Sequence, residues 1–236
     1  MRVWILFSLT TGVVPMFHFR PHTFDQSIAH SVYTLDEYRL RSIVETNPPP
    51  PTPVVLDIGA HLGAFSLLAL HTIPDAVVLA VEAHWDNYQL LLDTIARNHT
   101  GTRIIPIYGA FSAQPGVVYM RSSFTVDPTQ PQVGLNTGGN GIVPSPPSDS
   151  DVYYPVPTYS ITTLTLLAAN VGTPWLIKID AEGAEYDLFT DGIERWTWVV
   201  GEYHCGPTLS HPSFTISFQP SVGTMGHFLA RNNTIA

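Results

Sequence analysis

Short apolar runs alternate with amphipathic stretches along most of the chain. A short apolar run bounded by Gly or Pro is typical of a buried strand, whereas apolar positions three or four residues apart indicate a helix. Thr34, followed three residues later by Glu37, predicts a capping box at the start of the first long helix. The pattern predicts strands at 54–56, 77–81, 103–108, 175–179 and 198–200, weaker strands at 214–218 and 226–230, and helices at 35–47, 63–70, 86–98, 161–169 and 184–189.

Strand and helix alternate at the spacing of βαβ units, which predicts an α/β fold with a mostly parallel sheet covered by helices on both faces. We expect one domain over 48–236, preceded by an N-terminal arm and helix over 1–47. The turn residues at 114–116 predict a hairpin that continues into a strand at 117–120. Prolines, glycines, serines and threonines leave almost no periodicity at 121–151, so this stretch is expected to be a lid-like loop.

The composition excludes several classes of protein. Only 12% of the residues are charged, while 44% are hydrophobic and 11% aromatic, so the chain is expected to fold rather than to be disordered. A net charge of -9 gives no basic surface for nucleic acid, and no apolar run is long enough to span a membrane. Cys205 is the only cysteine, which excludes an internal disulfide and a cysteine zinc site. Residues 2–9 are weakly similar to a secretory signal, so we expect a cytoplasmic protein, with the secretory pathway as the alternative.

The end of the first predicted strand carries candidate chemistry. Gly59 and Gly63 let the backbone pass close to a ligand and let a helix begin tightly against the sheet. Glu82 ends the second strand 25 positions after Asp57, near the spacing at which such folds place the acid that binds a ribose. The Gly-x-x-x-Gly spacing lacks the third glycine of a dinucleotide fingerprint, which favours S-adenosylmethionine, whose sulfonium cation suits an acidic site. The alternatives are a nicotinamide-dependent oxidoreductase, a non-catalytic S-adenosylmethionine-binding protein, and an ordinary turn followed by an exposed acid.

Six segments of the chain are similar to the motifs of one enzyme family. They are VLDIGAHLG at 55–63, VEA at 81–83, AFS at 110–112, TL at 163–164, GEYH at 201–204 and, most specifically, LIKIDAEGAE at 176–185. Together they resemble the FkbM-type methyltransferases. The resemblance implies a Rossmann-like class I methyltransferase fold with seven strands, S-adenosylmethionine as cofactor, and methyl transfer to a hydroxyl of a small molecule or sugar. The donor-site residues that it implies are Asp57, Ile58, Gly59, Ala60, Gly63, Glu82, Ala83, Gly109, Ala110 and Phe111.

The resemblance also implies that the acidic segment after the predicted strand at 175–179 lies where the methyl group is transferred, which we call the reaction end. Asp180 and Glu182 leave the same strand tip, where crowding of like charges raises the pKa of one carboxylate towards that of a general base. His204 is the alternative base. Lys178, the only lysine in the chain, is either a low-pKa base or one partner of a structural ion pair. We expect no metal because the spacing requires none, although these acids, with Glu202 and His204, are also ligands that a divalent cation could use.

Overall fold

A computed structural model describes residues 14–121, 135–139, 141–146, 153–190, 192–221 and 223–235. The strands of these residues are β1 (Pro53–Ile58), β2 (Val77–Glu82), β3 (Ile104–Tyr108), β4 (Ala110–Phe111), β5 (Val117–Arg121), β6 (Ile142–Val143), β7 (Tyr153–Tyr159), β8 (Thr173–Ile179), β9 (Trp198–Tyr203), β10 (Phe214–Pro220) and β11 (Gly226–Asn232). The helices are α1 (Asp25–Ala29), α2 (Leu40–Thr46), α3 (Ala64–Thr72), α4 (Trp85–Arg97) and α5 (Ile161–Ala169), with a π-helical turn at His30–Thr34 and 3-10 turns at Ala184–Asp187 and Ile193–Arg195.

Seven of the described strands form the larger sheet, in the order β10-β11-β9-β8-β1-β2-β3. β1 is parallel to β2 and β8, β2 to β3, and β8 to β9, while β11 is antiparallel to both of its neighbours. The predicted α/β fold with a mostly parallel sheet is thereby confirmed. The strand order reverses between β1 and β8, so the crevice at the carboxyl ends of these strands is where such sheets bind ligands.

Both faces of the larger sheet are buried, which explains the continuous apolar runs in its strands. Val55 of β1 packs in one core with α3 and the N-terminal segment, whereas Leu56 packs in the other core with α5. Every residue of β1 is buried. Asp57 and Lys178 are therefore exceptional, because they are buried charges at paired positions of β1 and β8.

The segment before β1 is joined to the rest of the fold by core packing. Phe17, Tyr33 and Leu40 belong to the same buried cluster as the apolar side chains of α3. The cluster buries these side chains almost completely. Residues that precede the sheet are consequently part of the core on the α3 face of the larger sheet.

The predicted capping box of Thr34 and Glu37 is wrong. A π-helical turn ends at Thr34, and the left-handed backbone of Asp36 (φ 55°) interrupts the helix that the apolar pattern predicts. α2 begins only at Leu40, where the two oxygens of Asp36 accept the backbone N–H groups of Leu40 and Arg41, each at 2.9 Å. The acid that caps α2 is thus one residue away from the predicted one.

The smaller sheet has the order β4-β7-β5-β6 and corrects the predicted hairpin after β3. β5 is antiparallel to β7 and β6 rather than paired with β3. The chain turns away from the larger sheet at Gly109, where a Cβ atom would lie 2.4 Å from the ring of Tyr159 in β7. β7 is not predicted from the sequence because Pro155 and Pro157 interrupt its pattern, yet both occupy exposed positions of the strand.

The predicted lid-like loop at 121–151 lies partly outside the described residues. Within it, β6 pairs with β5, and Leu135 forms a parallel bridge with Thr23 of the N-terminal segment. The signal-like residues 2–9 also lie outside the described ranges. No helix among the described residues combines the length and the apolar character of a membrane span.

Candidate active site

A cavity of about 380 Å³ lies at the carboxyl ends of β1, β2, β8 and β9. This volume is in the range of small-ligand sites. Ile28, Val32 and Tyr38 of the N-terminal segment form part of its wall. The predicted site residues that line the cavity are Ile58, Gly59, Ala60, Glu82, Ala83, Gly109, Ala110, Phe111, Lys178, Asp180, Glu182 and His204.

Asp57 and Gly63 are also predicted as donor-site residues. They are not among the residues that line the cavity, and they pack behind those that do. Asp57 is fully buried and lies 3.4 Å from Lys178 Nζ. Gly63 precedes α3 with a left-handed backbone (φ 87°), and a Cβ atom there would lie 2.8 Å from the side chain of Leu91. Asp57 thus pairs with Lys178 of the neighbouring strand, and Gly63 allows α3 to begin close to α4. Direct contact of either one with the donor stays a prediction.

Glu82 lies at the end of β2 with its carboxylate fixed by donors. Its two oxygens accept the backbone N–H groups of His61 and His84, each at 2.7 Å, and the side-chain amide of Asn87 lies 3.4 Å from Oε1. Burial raises the pKa of Glu82, while these donors favour its charged form. A carboxylate can accept about four hydrogen bonds, so Glu82, with three donors in place, retains capacity for about one hydroxyl of a ribose.

An ion pair from the N-terminal segment fixes the orientation of Asn87. Arg20 donates to both oxygens of Asp25, at 2.9 and 2.8 Å. The same guanidinium donates to Asn87 Oδ1 at 2.8 Å. Because a guanidinium only donates, the amide oxygen of Asn87 faces Arg20 and the amide nitrogen faces Glu82.

Asp25 also connects the N-terminal segment to the 135–139 loop. Thr137 Oγ1 donates to Asp25 Oδ1 at 2.6 Å and lies 2.9 Å from His61 Nε2. Burial by itself would raise the pKa of Asp25, but hydrogen bonds with His61 and Arg20 hold it far below its usual value. Asp25 is therefore a buried carboxylate that joins three segments beside the cavity.

Asp180 and Glu182 follow β8, and His204 follows β9, so that their polar atoms come within 4.8 Å of one another. His204 Nε2 lies 3.4 Å from Glu182 Oε2, and its Nδ1 forms a hydrogen bond with Glu185. Burial and the neighbouring carboxylates raise the pKa of Glu182 to about 7. The crowding of acids expected from the sequence is present, and it adds to the effect of burial on the pKa of Glu182.

Residues 57–219 match the family model of the methyltransferase FkbM domain, which is more than half of the chain. The chain belongs to the FkbM methyltransferase family. A comparison with curated proteins finds no match.

Solved structures with a similar chain path share little sequence with this FkbM methyltransferase. A Klebsiella pneumoniae protein assigned as an O-methyltransferase is 15% identical, with 84% of this chain and 80% of that chain covered and a TM-score of 0.47. TrmK of M. capricolum, in complex with S-adenosyl-homocysteine, is 8% identical over 82% of this chain and 67% of its own, with a TM-score of 0.45. The human methyltransferase 10 domain containing protein is 13% identical over 85% and 82%, with a TM-score of 0.44. These similarities are too distant to indicate a substrate.

S-adenosylmethionine is the methyl donor of FkbM methyltransferases and therefore of this enzyme. The residues of the cavity fit this donor. Glu82 offers free acceptor capacity to the ribose, as described above. Gly59 has a left-handed backbone (φ 73°), and a Cβ atom there would lie 1.9 Å from the backbone oxygen of Asp180, so the turn after β1 needs a residue without a side chain. Membership of the family also decides against the nicotinamide-dependent oxidoreductase.

Lys178 of the FkbM methyltransferase has the contacts of a structural ion pair. Its Nζ donates to the backbone oxygen of Gly59 at 2.7 Å and lies 3.4 Å from Asp57 Oδ1. Burial lowers the pKa of Lys178, but the carboxylates of Asp57, Asp180 and Glu202 outweigh burial and raise it. A lysine that retains its proton cannot act as a base, so these contacts favour the ion pair over a catalytic role.

Asp180, Glu182 and His204 form one cluster of polar side chains, and Glu37, Glu202 and His227 form a second one. Glu202 lies between the two clusters. Its oxygens lie 3.7 Å from His204 Nε2 and 3.3 Å from His227 Nε2. Such sets of ligands suit either a protonated imidazole or a divalent cation. Hydrogen bonds with Glu185 and Glu202, respectively, raise the pKa of His204 and of His227 to about 9. This favours protonated imidazoles and makes His204 the weaker candidate for the base.

The N-terminal segment supplies residues to the site that the sequence pattern does not indicate. In the sequence, Tyr38 occupies an ordinary apolar position of a predicted helix, and Arg20 and Asp25 are isolated charges. The partners of these side chains lie far along the chain, at separations of 67 positions for Arg20 and Asn87, and 112 for Asp25 and Thr137. No local spacing could have indicated contacts of this kind.

Proposed function

We propose that this enzyme transfers the methyl group of S-adenosylmethionine to a hydroxyl oxygen of a small molecule or sugar. The observation that supports an oxygen acceptor is Glu182, a partly buried carboxylate whose pKa is raised to about 7, in the wall of the same cavity as Glu82. A hydroxyl must lose its proton when its oxygen is methylated. A carboxylate whose pKa lies near the working pH is suited to accept that proton.

The residues of the chain have separate tasks in this reaction. When bound, the donor would supply a methyl group on a sulfonium sulfur. The acceptor's oxygen attacks the methyl carbon, the carbon–sulfur bond breaks, and S-adenosylhomocysteine is the leaving group. Glu182 accepts the proton of the acceptor's hydroxyl. Asp180, beside it, accepts a second hydrogen bond and orients the acceptor, and Glu82 binds the ribose. Alignment of the reacting atoms supplies much of the rate in such a displacement.

The walls of the cavity suit an acceptor that has both an apolar face and hydroxyl groups. Ile28, Val32 and Met225 are apolar lining residues, while Asp180 and Glu182 accept hydrogen bonds. A sugar ring or a hydroxylated small molecule presents both kinds of surface. An acidic wall repels phosphates, which is consistent with the expectation that the enzyme does not act on nucleic acid.

The proposal is tested with labelled S-adenosylmethionine and a panel of sugars, phenols and hydroxylated lipids. We expect the label on an oxygen of at least one acceptor. In Glu182→Gln, transfer should fall by about 100-fold or more, because the proton acceptor is lost. Binding of S-adenosylhomocysteine, measured by calorimetry, should be unchanged.

Glu45→Gln is the matched control, because Glu45 is an exposed glutamate on α2. It should leave both transfer and binding unchanged. Label found only on nitrogen or carbon would refute the oxygen acceptor. Undiminished transfer in Glu182→Gln would refute the assigned base. If the donor binds but no acceptor is labelled, the non-catalytic S-adenosylmethionine-binding alternative gains support.

A further inference from the structure

Tyr38 brings a hydroxyl group from the N-terminal segment to the reaction end. This hydroxyl donates to Asp180 Oδ2 at 3.0 Å, although the two residues are 142 positions apart. Tyr38 is only 4% exposed, so the hydrogen bond is shielded from water. A hydrogen bond to an ionised oxygen is stronger than one between neutral groups, and shielding from water strengthens it further.

The ring of Tyr38 is held from several sides. It makes edge contacts with Phe65 and His227, with ring centroids 5.6 and 5.8 Å apart. Lys178 Nζ lies 5.4 Å from its centroid. A tyrosine ring has only two side-chain torsions, so packing of this kind fixes the place of its hydroxyl.

The backbone that carries Tyr38 is also fixed. Asp36 and Arg39, on either side of it, have left-handed backbones with φ of 55° and 58°. The carboxylate of Asp36 accepts the first N–H groups of α2, including that of Leu40 at 2.9 Å. Hydrogen bonds with α2 therefore hold the turn from Asp36 to Arg39 in place, and Tyr38 projects from this turn.

We infer that Tyr38 is a positioning residue for the proposed methyl transfer: by binding Oδ2 it orients the carboxylate of Asp180, whose Oδ1 then accepts a hydrogen bond from a second hydroxyl of the acceptor, beside the hydroxyl that Glu182 deprotonates. This inference rests on the proposed function. Burial and the nearby carboxylates, Asp180 first among them, raise the pKa of Tyr38 well above its usual value. Tyr38 therefore keeps its proton and remains a donor.

Tyr38→Phe removes the hydroxyl and keeps the ring. We expect kcat for the best acceptor of the panel to fall about tenfold, because one hydrogen bond to a charged group is lost. The affinity for S-adenosylhomocysteine should not change. Tyr33→Phe is the matched control, since Tyr33 is a fully buried tyrosine of the same segment whose hydroxyl lies 2.6 Å from His71 Nδ1. It should lower stability slightly and leave kcat unchanged.

A second readout needs no acceptor. In protein labelled with carbon-13 at the aspartate carboxyl groups, Asp180→Asn identifies the signal of Asp180. We expect that signal to move in Tyr38→Phe and to stay in place in Tyr33→Phe. A signal that stays in place in both variants, or equal kcat values in the two, would overturn the inference. If the wild type methylates no acceptor, the proposed function fails, and the Asp180 signal alone decides whether Tyr38 orients this carboxylate.

Discussion

Gly59 is the point at which the turn after β1 passes closest to the reaction end. A Cβ atom at this position would lie 1.9 Å from the backbone oxygen of Asp180 and 2.9 Å from its carbonyl carbon. Real Cβ contacts essentially never fall below 3.0 Å, so Gly59→Ala forces the two segments apart. The backbone N–H of Asp180, which donates to Ile58 at 3.1 Å, is drawn into this movement.

Two costs add in Gly59→Ala. The left-handed backbone (φ 73°) costs an alanine roughly 1–2 kcal/mol relative to glycine. Forced separation of packed backbone costs about 1–3 kcal/mol more, by analogy with overpacked cores. We therefore expect the free energy of unfolding to fall by about 2–5 kcal/mol. A displacement of about 1 Å at Asp180, the carboxylate proposed to orient the acceptor, is expected to lower turnover by about 100-fold.

Gly101→Ala separates the two costs. Gly101 has nearly the same backbone (φ 63°), and a Cβ atom there would meet nothing within 4 Å. Chemical denaturation of both variants and of the wild type gives the two losses of stability, and labelled transfer gives the turnover. We expect Gly101→Ala to lose only about 1–2 kcal/mol and to keep its turnover. Equal losses in the two variants would refute the argument that contact with Asp180 requires a glycine at position 59.

The pH dependence of transfer should report Glu182. kcat/KM should rise as the pH passes about 7, since Glu182 accepts a proton only when ionised. His204→Gln should move this limb to higher pH, because a positive charge beside Glu182 lowers its pKa; a limb that stays in place would contradict the pairing. Asp25→Asn breaks a buried ion pair with Arg20 and should cost about 3–5 kcal/mol of stability in chemical denaturation. A loss below 1 kcal/mol would show that the network around Asp25 is not important for the fold.

The predicted strands of the larger sheet and the predicted helices at 63–70, 86–98 and 161–169 are close to the observed ones because each is specified locally. The predicted helix at 184–189 is only a 3-10 turn at Ala184–Asp187. The predicted helix at 161–169 has the bounds of α5, Ile161–Ala169. The strands are recognisable because burial on both faces requires continuous apolar runs. The prediction fails for β7, where Pro155 and Pro157 weaken the pattern but face outward. It also fails for the start of α2. Asp36, whose carboxylate accepts the N–H groups of Leu40 and Arg41, has a left-handed backbone that interrupts the helix predicted at 35–47.

For the site, the sequence by itself determined the parts that one short segment contains. These parts are the glycine turn after β1, the acid at the end of β2, and the pair Asp180 and Glu182 after β8. Four of the six family motifs, at 55–63, 81–83, 176–185 and 201–204, lie at the carboxyl ends of strands in the larger sheet.

Only the tertiary structure decided which of these groups carries a proton and what holds each in place. The raised pKa of Glu182 depends on its burial and on carboxylates from separate segments. Lys178 is paired with Asp57 of a neighbouring strand, and Asp180 with Tyr38 of the N-terminal segment. Desolvation and long-range hydrogen bonds exist only when distant parts of the chain pack together. For that reason the kinds of group at the site can be predicted from local sequence, whereas their protonation and orientation cannot.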